Sequence, residues 1–183
     1  MKDVVYVTGN AHKAKYFNLM TGLDIERMKF DVDEIQSMSL AEIVEHKALQ
    51  AFDLAKRPVI VEDTKLSFNA LGALPGPFIK WFLDELSAEG LCRVLDSYDN
   101  RGAVAGAAIA YFDGSVLEIF EKELAGSIAK APAGDSGFGW NAIFTPDGAD
   151  KTLGQMDDDE FKIWYAKVKP FDELARFIKE NGQ

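Results

Sequence analysis

Two adjacent acids, Glu62 and Asp63, interrupt an apolar run, "PVIV" at 58–61, and a third acid, Glu34, stands upstream in "DEIQ". Paired carboxylates where a strand ends face the crevice in which open α/β sheets bind ligands. Hard oxygen donors suit Mg²⁺, which is commonly held by one or two carboxylates together with substrate phosphates. Glu34, Glu62 and Asp63 are therefore candidate metal ligands. A rigid "LPGPF" turn follows, and beyond it Lys80 sits beside Trp81. Metal-bound acids and lysines together are equipped to neutralise a polyanion.

Other segments offer compatible chemistry. "VTGNAHK" at 7–13 reads as strand, glycine turn and helix start. Amides at such a turn and the helix dipole favour an anion, with Lys13 adding a point charge. The spacing is not that of a P-loop. Lys47 lies four residues after Ile43 and four before Ala51, on the apolar stripe of its helix, where a lysine must snorkel or meet an anion. In "SGFGWNAIFTPDG", 136–148, Phe138 and Trp140 could form a stacking wall for a base; no Rossmann fingerprint is present. His12 and His46 read as helix-surface residues, and no nucleophile elbow supports a Ser–His–Asp triad. The acid run "DDDE" at 157–160 reads as a solvated face or a helix N-terminus.

These residues need elements to hold them. Strands are expected at 4–9, 25–33 and 58–61, and a hairpin at 103–112 and 116–126 around Asp113–Gly114. Helices are expected at 10–22, capped by Asn10 and closed by Gly22, and at 170–181 with Pro170 in its first turn. The clearest helix is 39–55, with a Ser39/Glu42 capping box and a stripe of Leu40, Ile43, Val44, Ala48, Ala51 and Leu54. The mixture implies an α/β or α+β fold with a mixed sheet. With 183 residues, the chain fits one domain, 1–183, or two small lobes sharing a core. Its 48% apolar and 27% charged residues are those of an ordinary globular protein, and no apolar run reaches membrane-spanning length. The start, "MKDVVYVTGN", lacks signal-peptide shape, and Cys92 is the single cysteine, so a cytoplasmic location is expected. A net charge of −10 argues against a nucleic-acid polymer as partner.

In order, the motifs T-G-N-x-x-K, E-D-T-x-L, A-L-x-x-L-P-G-P-F-I-K-W-F, F-G-W and P-D-G-x-x-K-T-x-x-x-M resemble the inosine triphosphate pyrophosphatase family, from Val5 to about Met156. The resemblance implies a homodimer, each chain an elongated mixed β-sheet flanked by helices with two lobes around a central nucleotide-binding cleft. It implies Mg²⁺, with Mn²⁺ as a substitute, and hydrolysis of purine nucleoside triphosphates to monophosphate and pyrophosphate. Position by position, it implies that Thr8, Gly9, Asn10 and Lys13 hold the triphosphate, that Glu34 and Asp63 bind metal, and that Asp63 activates water. It further implies that Lys47, Thr64 and Lys80 contact substrate and that Phe138, Gly139, Trp140 and Asn141 line the base pocket. Two departures fall at the base end. Asn141 and Ala142 replace the family's aspartate and proline, and Tyr165, Ala166 and Lys167 stand where Ser-His-Arg is usual. The family lysine falls on Phe161, with Lys162 adjacent, so Lys162 and Lys167 are the candidate replacements. Altered base preference is the expectation, and a catalytically reduced nucleotide-binding protein is the alternative.

Overall fold

The structure is a computed structural model and describes residues 4–181. In chain order its elements are β1 (Val5–Val7), α1 (Ala11–Thr21), β2 (Glu26–Met28), α2 (Leu40–Ala55), β3 (Val59–Phe68), β4 (Pro75–Gly76), α3 (Ile79–Val94), β5 (Gly102–Phe112), β6 (Leu117–Ile128), β7 (Phe144–Pro146), α4 (Asp158–Val168) and α5 (Phe171–Asn181). Seven strands form one mixed sheet in the order β2-β1-β3-β5-β6-β7, with β4 paired to β3. β1 runs parallel to β2 and to β3, whereas β4 is antiparallel to β3 and β7 to β6. Among the described residues, no helix is long and apolar enough to cross a membrane.

The chain divides into two compact units. One comprises the described residues through Asp63, Ala107–Lys122, and those from Lys169 onward; the other comprises Thr64–Gly106 and Glu123–Val168. In the first unit, Leu40, Ile43, Val44, Ala48 and Ala51 of α2 pack with Val5, Val7, Val59, Val61, Ala108 and Ala110 of the strands. On the other side of β1, Tyr6 stacks on Phe17 at 4.6 Å between centroids, and Phe17 meets Phe171 edge-on at 5.6 Å. The helices α1 and α5 are thereby tied to the same side of β1. In the second unit Leu91, Ile143, Phe144, Leu153 and Phe161 are buried. The Arg101 guanidinium there donates to the carbonyls of Cys92, Ile128 and Ala129 at 2.7–2.9 Å.

Four local expectations change. The strand expected at 58–61 continues to Phe68, flanked by β5 and with Leu66 and Ser67 paired to Gly76 and Pro75 of β4. Glu62 and Asp63 therefore lie inside a strand, just past the register Val5↔Val59 and Tyr6↔Ile60 that pairs it with the short β1. The strand expected at 25–33 is confined to Glu26–Met28, and the chain from 29 to 39 runs free of regular structure. The capping box of α2 is half formed: Ser39 Oγ accepts from the Glu42 amide at 3.3 Å, but the Glu42 carboxylate accepts from Ser37 Oγ at 2.6 Å instead of returning to Ser39. Leu54, in the last turn of that helix, is 52% exposed and leaves the stripe. The acids at 158–160 form the first turn of α4, where they complement its dipole.

The α2 cap generates a stability prediction. Ser39→Ala should remove about 1 kcal/mol of unfolding free energy, read from denaturant melts; an unchanged midpoint would show that Ser37 and Glu42 cap the helix without it.

Candidate functional site

Successive side chains of a strand point to opposite faces, and this alternation sorts the two acids of β3. Val59 and Val61 face α2 in the core cluster, and Asp63 follows them. It meets Lys47 of that helix, whose ammonium donates to Asp63 Oδ2 at 3.1 Å and to Glu34 Oε1 at 3.0 Å. Burial works against the Lys47 ammonium, but Asp63 and Glu34 outweigh it and raise the pKa above its ordinary value. One fixed cation thus holds two carboxylates from separate segments, 16 and 13 residues away in sequence.

Glu62 points the other way, and its side chain is 1% exposed. Its Oε1 receives the Lys169 ammonium at 2.7 Å and lies 3.1 Å from the Lys13 ammonium. Burial alone would push the Glu62 carboxyl up; the two lysines overcome it and bring the pKa down to about 2. Burial lowers Lys169, against the pull of Glu62, to about 8. A fully buried carboxylate already neutralised by two ammonium groups is an anchor, so Glu62 leaves the candidate ligand set.

The turn before α1 is braced internally. Asn10 Oδ1 accepts from the amides of His12 and Lys13 at 2.9 and 3.2 Å, and the Asn10 amide donates to Thr8 Oγ1 at 3.1 Å. The amide cradle expected at Thr8, Gly9 and Asn10 is therefore partly closed by Asn10 itself. The charge that the turn supplies is the Lys13 ammonium, directed at Glu62.

The remaining expected residues belong to the second unit. Thr64 is half-buried on β3, and the exposed Lys80 places its ammonium 5.8 Å from the Trp81 ring centroid. Phe138, half-buried, meets Tyr165 edge-on at 6.1 Å, and Trp140 meets Phe144 at 5.6 Å. Gly139, at φ 64°, allows the turn between those aromatics. Asn141 is 4% exposed, and its Nδ2 is buried without a hydrogen-bond partner. Lys162 pairs with Asp158 and Asp159 of its own helix at 2.6 and 3.1 Å, and Lys167 lies 3.6 Å over the Trp164 ring. Phe161 is buried and stacks on Tyr165 at 5.1 Å, so its ring serves the core.

Among the described residues, no group of three or more His, Cys, Asp or Glu is gathered as a metal site. The pair Glu34 and Asp63, already converging on one cation, suits an ion that completes its shell with water and phosphate oxygens. Sequence reasoning missed two residues here. Lys169 gave no signal, being one of two lysines in "YAKVKP" and 107 residues from its partner. Gln50, which bonds Asp33, could have been found from its place one helical turn after Lys47.

Known proteins resemble this chain along most of its length. The Ham1 family model matches residues 4–177. The chain belongs to the Ham1 family. Relatives named inosine triphosphate pyrophosphatase include one from Trypanosoma cruzi, 42% identical over 161 residues, spanning 86% of this chain and 82% of the relative. One from Schizosaccharomyces pombe is 38% identical (87% and 86% covered), and one from Yarrowia lipolytica is 36% identical (99% and 98%). The solved Ham1 proteins of Staphylococcus aureus and Coxiella burnetii share the fold at TM-scores of 0.81 and 0.82, each covering 97% of this chain and 98% of its own, at 23% and 22% identity.

The buried acid of this Ham1 chain generates a prediction. Glu62→Gln should cost about 3–5 kcal/mol at pH 7, because it takes the carboxylate away from the buried Lys169 ammonium, and Lys169→Met should cost less, because Lys13 still faces Glu62 at 3.1 Å. The double variant should lose far less than the two combined, and additive losses would show that the residues do not act as a pair. Glu62 ionises near 4.5 in the unfolded chain and near 2 in the folded one. Its contribution is therefore complete above pH 4.5 and is lost as pH falls towards 2. Over that window the stability gap between wild type and Glu62→Gln should narrow, and a constant gap would refute the pairing.

Proposed function

We propose that this Ham1-family chain hydrolyses a purine nucleoside triphosphate to the monophosphate and pyrophosphate, a nucleotide-pool sanitising reaction. The observation that carries this reading is the convergence of Glu34 and Asp63 on the Lys47 ammonium. Family membership and the activity named for the relatives agree with it.

Glu34 and Asp63 would hold Mg²⁺, with Mn²⁺ as a substitute, and the ion would neutralise phosphate oxygens and lower the pKa of a nearby water. Asp63 orients that water and accepts its proton, leaving hydroxide to attack the α-phosphorus in line. Lys13 and Lys47 offset the charge that develops on the departing pyrophosphate. The second unit carries the residues that the family pattern assigns to the base. A working form as a cytoplasmic homodimer belongs to this reading and rests on the family resemblance and on composition.

Base preference is where this chain departs. Tyr165 is buried against Phe161, Ala166 has no side-chain donor, and the Lys167 ammonium rests on Trp164. Large discrimination comes from leaving a built-in polar partner unpaired with the wrong base. A flexible lysine replaces the planar fork of arginine poorly. The Asn141 amide both donates and accepts, so it can meet either the keto or the amino edge of a purine. We therefore infer weaker discrimination between 6-keto and 6-amino purines than a Ser-His-Arg enzyme shows.

Two measurements test the reading. Asp63→Asn should keep the fold and lose at least about a hundredfold in kcat, with pyrophosphate and monophosphate formed in equal amounts by the wild type. Nucleoside diphosphate and orthophosphate as primary products would rule out attack at the α-phosphorus. For the base, kcat/KM for ITP, XTP, GTP and ATP should differ modestly in the wild type and diverge in an Asn141→Asp, Tyr165→Ser, Ala166→His, Lys167→Arg variant. A wild type already preferring ITP over ATP by about a thousandfold or more would sink the proposed tolerance, since binding contrasts that large need a dedicated polar reader.

A further inference from the structure

Glu34 lies in the irregular segment 29–39, and its side chain is half exposed, at 50%. A ligand on such a segment must be ordered before it can bind, at a cost in conformational freedom. The structure shows what orders it. Gln50 Oε1 accepts from the Asp33 amide at 2.8 Å, and Gln50 Nε2 donates to Asp33 Oδ2 at 3.3 Å. A single carboxamide therefore grips both the backbone and the side chain of the residue preceding Glu34. Downstream, Ser37 Oγ donates to Glu42 and accepts from the Ser39 amide at 3.0 Å. Ile35 packs against the core cluster between these ties, and Val32 does so just before the first. Gln50 follows Lys47 by three residues, so both lie on one face of α2. That face presents the ammonium that meets the Glu34 carboxylate and the amide that fixes the backbone behind it.

We propose that Gln50 is a positioning residue for Glu34, a role that rests on the reading of Glu34 and Asp63 as the metal-holding pair. The contact requires one group that accepts from an N–H and donates to a carboxylate. Glutamate cannot donate, lysine cannot accept, and leucine does neither; only a side-chain amide does both in one plane. The second sphere around a metal ligand commonly alters metal affinity by about 10- to 100-fold, and a contact this exposed belongs at the low end.

The test is Mn²⁺ binding to nucleotide-free protein, followed by electron paramagnetic resonance, alongside thermal melts. The proteins compared are wild type, Glu34→Gln, Gln50→Leu, Gln50→Glu, and Gln50→Glu combined with Asp33→Asn. Gln50→Leu should weaken Mn²⁺ binding by about tenfold while the melting temperature stays within a few degrees of wild type. Gln50→Glu should be at least as weak, since two carboxylates then face each other. The combined variant should recover, because the new carboxylate accepts both from the backbone amide and from the side-chain amide that Asp33→Asn supplies. Wild-type affinity in Gln50→Leu beside weakened affinity in Glu34→Gln would overturn the role of Gln50 alone. Failure of the combined variant to recover would do the same. Unchanged Mn²⁺ binding in Glu34→Gln would remove Glu34 from the metal site, and the proposal with it.

Discussion

Neighbouring side chains on a β-strand cannot share a face, and the first unit of this protein is arranged around that constraint at one place in β3. Glu62 and Asp63 are chemically alike and adjacent, yet they live in different surroundings. One is sealed between two lysines beneath the sheet, and the other is offered to α2 and the segment that carries Glu34. The sealed acid ties β3 to Lys13 of α1 and to Lys169 at the point where the other is presented. A structural charge and a chemical charge are thus set one peptide apart, and each is legible from its partners.

Lys47 solves a related problem. Two carboxylates brought together without a cation repel each other and one tends to take up a proton. An ammonium within 3.0–3.1 Å of both offsets that repulsion and aims them at a common point. The stripe residues of α2 fix the helix on the strands, so the lysine's position is set by apolar packing and only its charge is used at the site. The Ham1 chain as a whole is strongly acidic, with a net charge of −10. Local cations, here Lys13, Lys47 and Lys169, therefore match Glu34, Glu62 and Asp63 charge for charge within this region.

The sequence disclosed what local rules control. The cap at Asn10, the left-handed closure at Gly22 and the stripe of α2 up to Ala51 follow from neighbours a few residues away. Asp63 and Lys47 stood out because a pair of acids after an apolar run, or a charged residue at an apolar position, is conspicuous, whereas Glu34 was singled out by the family resemblance. The extension of β3 past Asp63 was not recoverable, since its sheet neighbours β4 and β5 come later in the chain. Nor was the role of Glu62, which is decided by a lysine far along the chain. The motif order identified the family where propensity could not, and the structure then separated the two acids that the motif presents as a unit.

The distance to that lysine has a consequence for how the protein is made. Glu62 and Lys169 are 107 residues apart in the chain. Contacts of such separation form late, because a long loop must close before they contribute. During synthesis the first strands and α2 leave the ribosome well before residue 169 exists, and until then Glu62 has Lys13 alone to offset its charge. The acid therefore favours hydration over burial in every shorter nascent chain. Burial of Glu62 beneath β3 thus gains its second cation only once residue 169 has been made.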